Sequence, residues 1–187
     1  MKTLYIDERI DYQGSQLSPH WIYRHFNLIG DAVVAFLGEV NVPVEAMVDL
    51  IDIHHKEPIY SPLMLNFIVE HFNTDLELAV YRQRMFMVAI KEELEQLGVQ
   101  VNRLGDDLFV GRGKLSVSIA TRTIISTVLH IGLNIETEGV PVTACGLKEL
   151  GVIDIKSFAE NVMLRYEREF DQIYEARCKV RGKLLEG

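Results

Sequence analysis

The side chains able to make or break bonds in this 187-residue chain are few in kind, and their spacing narrows what they can do. Two cysteines, Cys145 and Cys178, are too few for a disulfide framework, which points to a reducing compartment. Cys178 sits in an amphipathic helical pattern beside Arg177 and Lys179 and reads as structural. Cys145 precedes Gly146. Left to itself such a cysteine is a small buried hydrophobe, and a nucleophilic role needs local deprotonation, because a free thiol has a pKa of about 8.5. His54 and His55, with Asp52 and Glu57 beside them, suggest a metal site. Read as a strand, however, adjacent histidines point to opposite faces. No His-x-x-x-His or Cys-x-x-Cys spacing exists either, so no metal is expected. The other candidates gather between 106 and 146. Asp106 and Asp107 read as turn residues, Lys114 as a solvated lysine at a strand start, and His130 and Asn134 interrupt an apolar run.

These residues need elements to position them. Residues 31–38 (DAVVAFLG) are apolar and β-branched and read as a strand, with Gly38, Asn41 and Pro43 as its turn. Before it, Ser18-Pro19 opens a short helix through Phe26, with Ser as N-cap and Pro at the first helical position. A long helix is expected from Thr74, where Thr74 and Glu77 form a capping box, to Gly98. Leu76, Val80, Met87, Ile90, Leu94 and Leu97 mark its apolar face, while Glu92, Glu93 and Glu95 face water. A second long helix runs from Ser157 to about Cys178 on Phe158, Val162, Tyr166, Phe170 and Ile173. Between 99 and 135 the period becomes two. VQVNRL, DDLFV, GKLSVSIAT and TIISTVLHIGLNI read as three or four strands, with a hairpin at Gly111-Arg112-Gly113 and Leu115, Val117 and Ile119 sharing a face. Strands with helices inserted imply an α+β fold, its helices packed on one face of a mainly antiparallel, mixed sheet.

The length suits a single domain over 1–187. At 48% hydrophobic and 25% charged residues, disorder, collagen and coiled coil are excluded. A net charge of −8 argues against a nucleic-acid binder held by bulk charge. The basic tail of Arg177, Lys179, Arg181 and Lys183 reads as a solvated helix end. MKTLYIDERI has no secretory h-region, and the run at 123–135 is too short to span a bilayer. A soluble, cytoplasmic chain without a membrane partner is expected.

Asp107-Leu108, Lys114-Leu115, Gly132-Leu133-Asn134-Ile135 and Ala144-Cys145-Gly146 together resemble, in order and spacing, the biotin/lipoate protein ligase and octanoyltransferase superfamily. Its catalytic domain has a class II aminoacyl-tRNA synthetase-like fold. The segment GVIDIKSFAENV (151–162) is similar to that family's last loop and closing helix. The departures point to a divergent prokaryotic branch. The family's Arg-Gly-Gly strand is missing, and DIHHKEP (52–58) is its nearest counterpart, with His54 or His55 in the place of a family histidine and Pro58 of a proline. The ligases' Gly/Arg-rich adenylate loop is missing too, Pro141 stands three residues before Ala144, and HIGLNI (130–135) is nearer the biotin ligase version.

The resemblance implies three readings. In the first, an octanoyl- or lipoyl-transferase, Cys145 accepts an acyl group from an acyl carrier or other donor as a thioester and passes it to a protein or small-molecule acceptor. Lys114 then activates first the thiol and later the amine, as a lysine in a partly apolar pocket is able to do. Gly146 admits close backbone approach and offers its N–H to an oxyanion, and Asp107, His54, His130 and Asn134 line the substrate pocket. No cofactor is implied. In the second, an ATP-dependent ligase forms an acyl-adenylate with Lys114 on the carboxylate and Cys145 idle. The third is a non-catalytic member that binds a small carboxylate or a partner protein.

Overall fold

Residues Thr127–Glu136 alternate without a break: Leu129, Ile131, Leu133 and Ile135 fall on one side, Val128, His130, Gly132 and Asn134 on the other. A strand patterned this way separates two environments. In the computed structural model, which describes residues 1–55 and 59–182, this strand lies deep in a sheet covered on both faces. The sequence readings that fall on Glu57, Pro58 and Lys183 lie outside the described residues.

The chain order is β1 (Lys2–Tyr5), α1 (Trp21–Phe26), β2 (Ala32–Val42), a 3-10 turn (Val44–Ala46), α2 (Leu50–His55), β3 (Ile59–His71), α3 (Leu76–Gln96), β4 (Asn102–Leu104), β5 (Asp107–Val110), β6 (Gly113–Lys114), β7 (Ser116–Arg122), β8 (Thr127–Glu136) and α4 (Ile155–Lys179). Five strands form a mixed sheet in the order β1-β2-β3-β8-β7, with β1 parallel to β2 and the other pairs antiparallel. Strands β4, β5 and β6 form a small second sheet. The architecture is α+β, as the pattern implied. No helix among the described residues is long and apolar enough to cross a membrane.

Helices α3 and α4 cover one face. Phe86, Met87 and Ile90 of the first and Phe158, Val162 and Tyr166 of the second pack on Leu65, Phe67, Leu129 and Ile131. The other face is also covered, by Trp21 and Ile22 of α1, by Tyr12 and by Met47. The sheet is therefore enclosed on both sides, not on one.

The ends of the helices differ from the sequence reading for local reasons. Asp75, not Thr74, caps α3, its carboxylate accepting from the Leu78 N–H at 3.0 Å. Asp154 caps α4 and accepts from both Ser157 N and Ser157 Oγ, which draws Ser157 inside the first turn. α1 starts at Trp21 instead of Pro19, because His20 is left-handed (φ 61°) and gives its N–H to the buried carboxylate of Glu70 at 2.9 Å. Glu93, expected in water, is buried between the two long helices, where Arg165 reaches it at 3.0 Å. Leu76, Leu97 and Ile173 are exposed.

The strands were more finely divided than the pattern implied. GKLSVSIAT breaks at Leu115, where the chain passes from the small sheet to the large one. Leu115 packs on the helix side and Val117 on the opposite side, so they do not share a face. The hairpin at Gly111-Arg112 joins β5 to β6, with Gly111 left-handed at φ 58°. β2 runs on through Asn41 to Val42 before Pro43 ends it. β3 went unread in the sequence, though it is the longest strand. Pro62 interrupts its pattern but stands beyond the residues paired to β8 and beside a register shift against β2, so no ladder bond is lost there.

Candidate functional site

A cavity of about 560 Å3 opens on the face of the sheet opposite α3 and α4. Its floor is made by side chains that β8, β3 and β7 turn to that side: His130, Asn134, Met64 and Val117. Tyr12, Val42 and Met47 supply an apolar wall, and the small sheet brings Asp107 and Lys114 to the mouth.

Lys114 is held from three directions through its main chain. Its N–H donates to Thr143 O at 2.9 Å, and its carbonyl accepts from Cys145 N at 3.1 Å and from Asn134 Nδ2 at 3.2 Å. The side chain is left free to enter the cavity, where Nζ lies 2.9 Å from Asp107 Oδ2, each partner about one-third exposed (32% and 31%). Two ions one-third exposed at that distance make an exchangeable pair, worth about 1 kcal/mol or less. A ligand carboxylate is thus able to compete for the ammonium at little cost.

The floor is polar and buried. His130 Nε2 lies 2.9 Å from Asn66 Oδ1, while Asn66 Nδ2 donates to Met64 O. The amide oxygen therefore accepts, and the imidazole proton resides on Nε2. The ring stacks on Tyr12, centroids 3.5 Å apart and planes 10° from parallel. Burial pushes His130 down to about 3, so it is neutral across the physiological range, and raises the Tyr12 phenol above its ordinary value. Asn134 is 3% exposed. Its Nδ2 is used on Lys114 O, but its Oδ1 has no partner. Asp106 accepts from Gln83 Nε2 at 3.2 Å, with Arg84 at 3.7 Å from its other oxygen.

Four residues singled out from the sequence, Asp107, Lys114, His130 and Asn134, are brought together here. Cys145, Gly146 and His54 are not. The Cys145 side chain packs in the helix-side core, 7% exposed, with Sγ 3.4 Å from Gly113 O, and burial pushes its thiol up. The structure thus sets the sulfur and the Lys114 amine in two different environments. Gly146 serves contact: a Cβ there would lie 2.4 Å from Ile135 O, so glycine lets the 144–147 strip lie against β8, with Leu147 N donating to Asn134 O at 2.8 Å. His54 and His55 are exposed residues at the end of α2, a helix and not the strand assumed for them. Among the described residues no three His, Cys, Asp or Glu side chains converge to hold a metal ion.

Sequence reasoning missed Tyr12, Asp49 and Met64 in the lining. Tyr12 and Asp49 lie in segments without periodicity. Met64 was within reach, because Met64, Asn66, Ile68 and Glu70 alternate with Leu65, Phe67, Val69 and His71, the signature of a two-sided strand.

Comparison with known proteins bears on the fold and the family. A structure described as a protein of unknown function from Pyrococcus horikoshi is similar at a TM-score of 0.92 and 40% identity, covering 97% of this chain and 98% of that one. An uncharacterized protein of Methanocaldococcus jannaschii is 35% identical over 179 residues, 92% of this chain and 81% of the relative. Biotin and lipoate protein ligases share the fold at lower identity. A biotin protein ligase from Aquifex aeolicus in complex with biotin and ATP has a TM-score of 0.60 and 14% identity, with 93% of this chain and 72% of that one covered. At that identity the likeness speaks for the fold alone. Residues 1–181 match the family model described as Domain of unknown function (DUF366), and the chain belongs to that family.

Proposed function

We propose that the chain is a ligase- or transferase-type enzyme that holds a small carboxylic acid, or its activated acyl form, in the sheet-face cavity, with Lys114 at the carboxyl group and no cysteinyl intermediate. One observation carries this reading. The Lys114 amine enters the cavity in an exchangeable pair with Asp107, while Cys145 lies in the helix-side core with its thiol pushed up by burial.

The chemistry follows from what each group offers. An ammonium in a partly buried cavity binds a carboxylate by a charge-assisted bond stronger than the same bond in water. As an attacking group approaches the acyl carbon, negative charge gathers on the acyl oxygen, and the same ammonium stabilises it. Asp107 orients the amine between encounters. Val42, Met47, Met64 and Val117 take the apolar part of the acid out of water. The fold's kinship with a ligase solved with biotin and ATP supports activation of the carboxylate by ATP, followed by transfer to a protein or small-molecule acceptor in the cytoplasm.

A thioester route through Cys145 would need the sulfur to leave its packing before it could meet a substrate on Lys114. Intact-mass spectrometry and ATP–pyrophosphate exchange separate the two routes. The protein is incubated with octanoate, lipoate or biotin plus ATP, and separately with an octanoyl carrier protein. The expected result is carboxylate-dependent exchange that stays within about twofold in Cys145→Ser and falls at least a hundredfold in Lys114→Ala. A covalent acyl adduct abolished by Cys145→Ser would overturn the proposal in favour of an octanoyl- or lipoyl-transferase. No exchange and no adduct would sink both enzyme readings for these acids.

A further inference from the structure

The balance of charge and hydrogen-bonding capacity in the cavity carries a substrate class. Among the described residues four carboxylates line it, Asp49, Asp52, Asp106 and Asp107, against one ammonium, Lys114. Lys114 matches Asp107 at 2.9 Å, and Arg84 partly offsets Asp106 from outside at 3.7 Å. With Asp52 left out of the count, the Asp49 carboxylate still keeps the lining negative.

The second observation is independent of the acids. Asn134 is 97% buried at the cavity floor, 3% of its surface exposed, and its Oδ1 has no hydrogen-bond partner while its Nδ2 is committed to Lys114 O. A buried acceptor left bare costs about 1–3 kcal/mol, and a donor from a ligand relieves it. Beside it the His130 proton is taken up on Nε2 by Asn66, so that ring offers the cavity no second donor. The hydroxyls of Tyr12, Tyr60 and Ser118 donate as well as accept, so the imbalance lies in charge: among the described lining residues negative exceeds positive, and one buried acceptor is left bare. A fatty acid or a dithiolane acid brings one more anion and no N–H.

We propose that the ligand is a small amino-bearing carboxylic acid, its carboxylate on Lys114 and its ammonium drawn to the carboxylates and to Asn134 Oδ1, with an apolar body against Val42, Met47 and Val117. This rests on the reading of Lys114 as the anchor of a carboxyl group.

Titration calorimetry with matched pairs tests it: leucine against 4-methylpentanoate, phenylalanine against 3-phenylpropanoate, and 8-aminooctanoate against octanoate. In at least one pair the amino member binds at least tenfold more tightly. The double variant Asp49→Asn/Asp106→Asn, which keeps the hydrogen-bonding shape of both residues, reduces that ratio below threefold, as does Asn134→Leu. Thermal unfolding establishes that both variants are folded. If the acids without an amine bind as well or better in every pair and lose that binding in Lys114→Ala, the amino proposal is overturned and the carboxyl-anchor reading stands. If no acid of either kind binds the wild-type protein, both are overturned.

Discussion

The two faces of the central sheet are built from the same three strands and each carries a buried apolar cluster, but one is closed by a helix layer and the other opens into a cavity. Toward α3 and α4, alternate residues of β2, β3 and β8 are Val33, Ala35, Leu65, Phe67, Val69, Leu129, Ile131 and Leu133, all fully buried. Toward the cavity, β3 and β8 present Met64, Asn66, His130, Gly132 and Asn134, of which three are buried polar side chains. A buried amide or imidazole is costly unless paired, and one of these three amide and imidazole groups keeps an unpaired oxygen. The helix side carries the larger of the two buried clusters. The cavity side keeps polar groups that packing alone does not call for.

The largest test of this contrast lies on the helix side. The Phe67 ring is fully buried and meets Phe86 at 5.1 Å, edge to face (62°). Phe67→Ala removes that packing and leaves a void between sheet and helix. The expected loss is about 3–5 kcal/mol in urea unfolding. A loss below 1 kcal/mol would mean that the helix layer is not the source of stability.

The next test turns on His130, which burial holds at a pKa of about 3 in the folded chain. The unfolded histidine, with a pKa of about 6.5, binds a proton that the folded one refuses. The stability from this group is therefore complete above about pH 6.5 and lost as the pH falls toward 3, at up to about 1.4 kcal/mol per pH unit. Burial lowers His71 in the same direction, so the comparison must be made against a variant that keeps His71. Between pH 7 and 4.5 the wild type should lose about 2–3 kcal/mol more than His130→Gln. Parallel stability curves for the two proteins would show that the cavity floor is wet enough to charge the ring.

How much of this was legible in the sequence follows the same division. The helices α3 and α4, the hairpin at Gly111 and the strand β8 were readable because a periodic apolar face records burial against a continuous layer. Helix starts slipped by one to three positions, at α3 and α4 because a nearby aspartate took the cap and at α1 because Glu70, from afar, takes the His20 N–H. The candidate site was legible where the family resemblance falls on strands, at Lys114, His130 and Asn134. It was not where loops deliver it, at Tyr12 and Asp49, nor where only three dimensions decide, as for Cys145. Its neighbour Ala144 bridges to Lys114, yet alternation along that short strip sends the next side chain to the other layer. A motif's order carried over; the direction of one side chain did not.

The smallest expected effect is the most specific. Asn134→Leu removes the bare Oδ1 and keeps the same branched skeleton of heavy atoms in carbon. The bond from Nδ2 to Lys114 O is lost as well, but that carbonyl still accepts from Cys145 N at 3.1 Å, so no new buried group is stranded. Losing one satisfied bond of about 1 kcal/mol against relief of one unsatisfied acceptor of about 1–3 kcal/mol gives a change between zero and about 2 kcal/mol in favour of the variant. Almost every polar-to-apolar change on the cavity side that strands a partner should destabilise; this one should not. A loss above about 1.5 kcal/mol in urea unfolding would mean that Oδ1 is satisfied in solution, by water, and that the residue serves the fold. Equal or greater stability would mean that the asparagine is kept at a cost, and a cost borne at a cavity floor is explained by what the cavity holds.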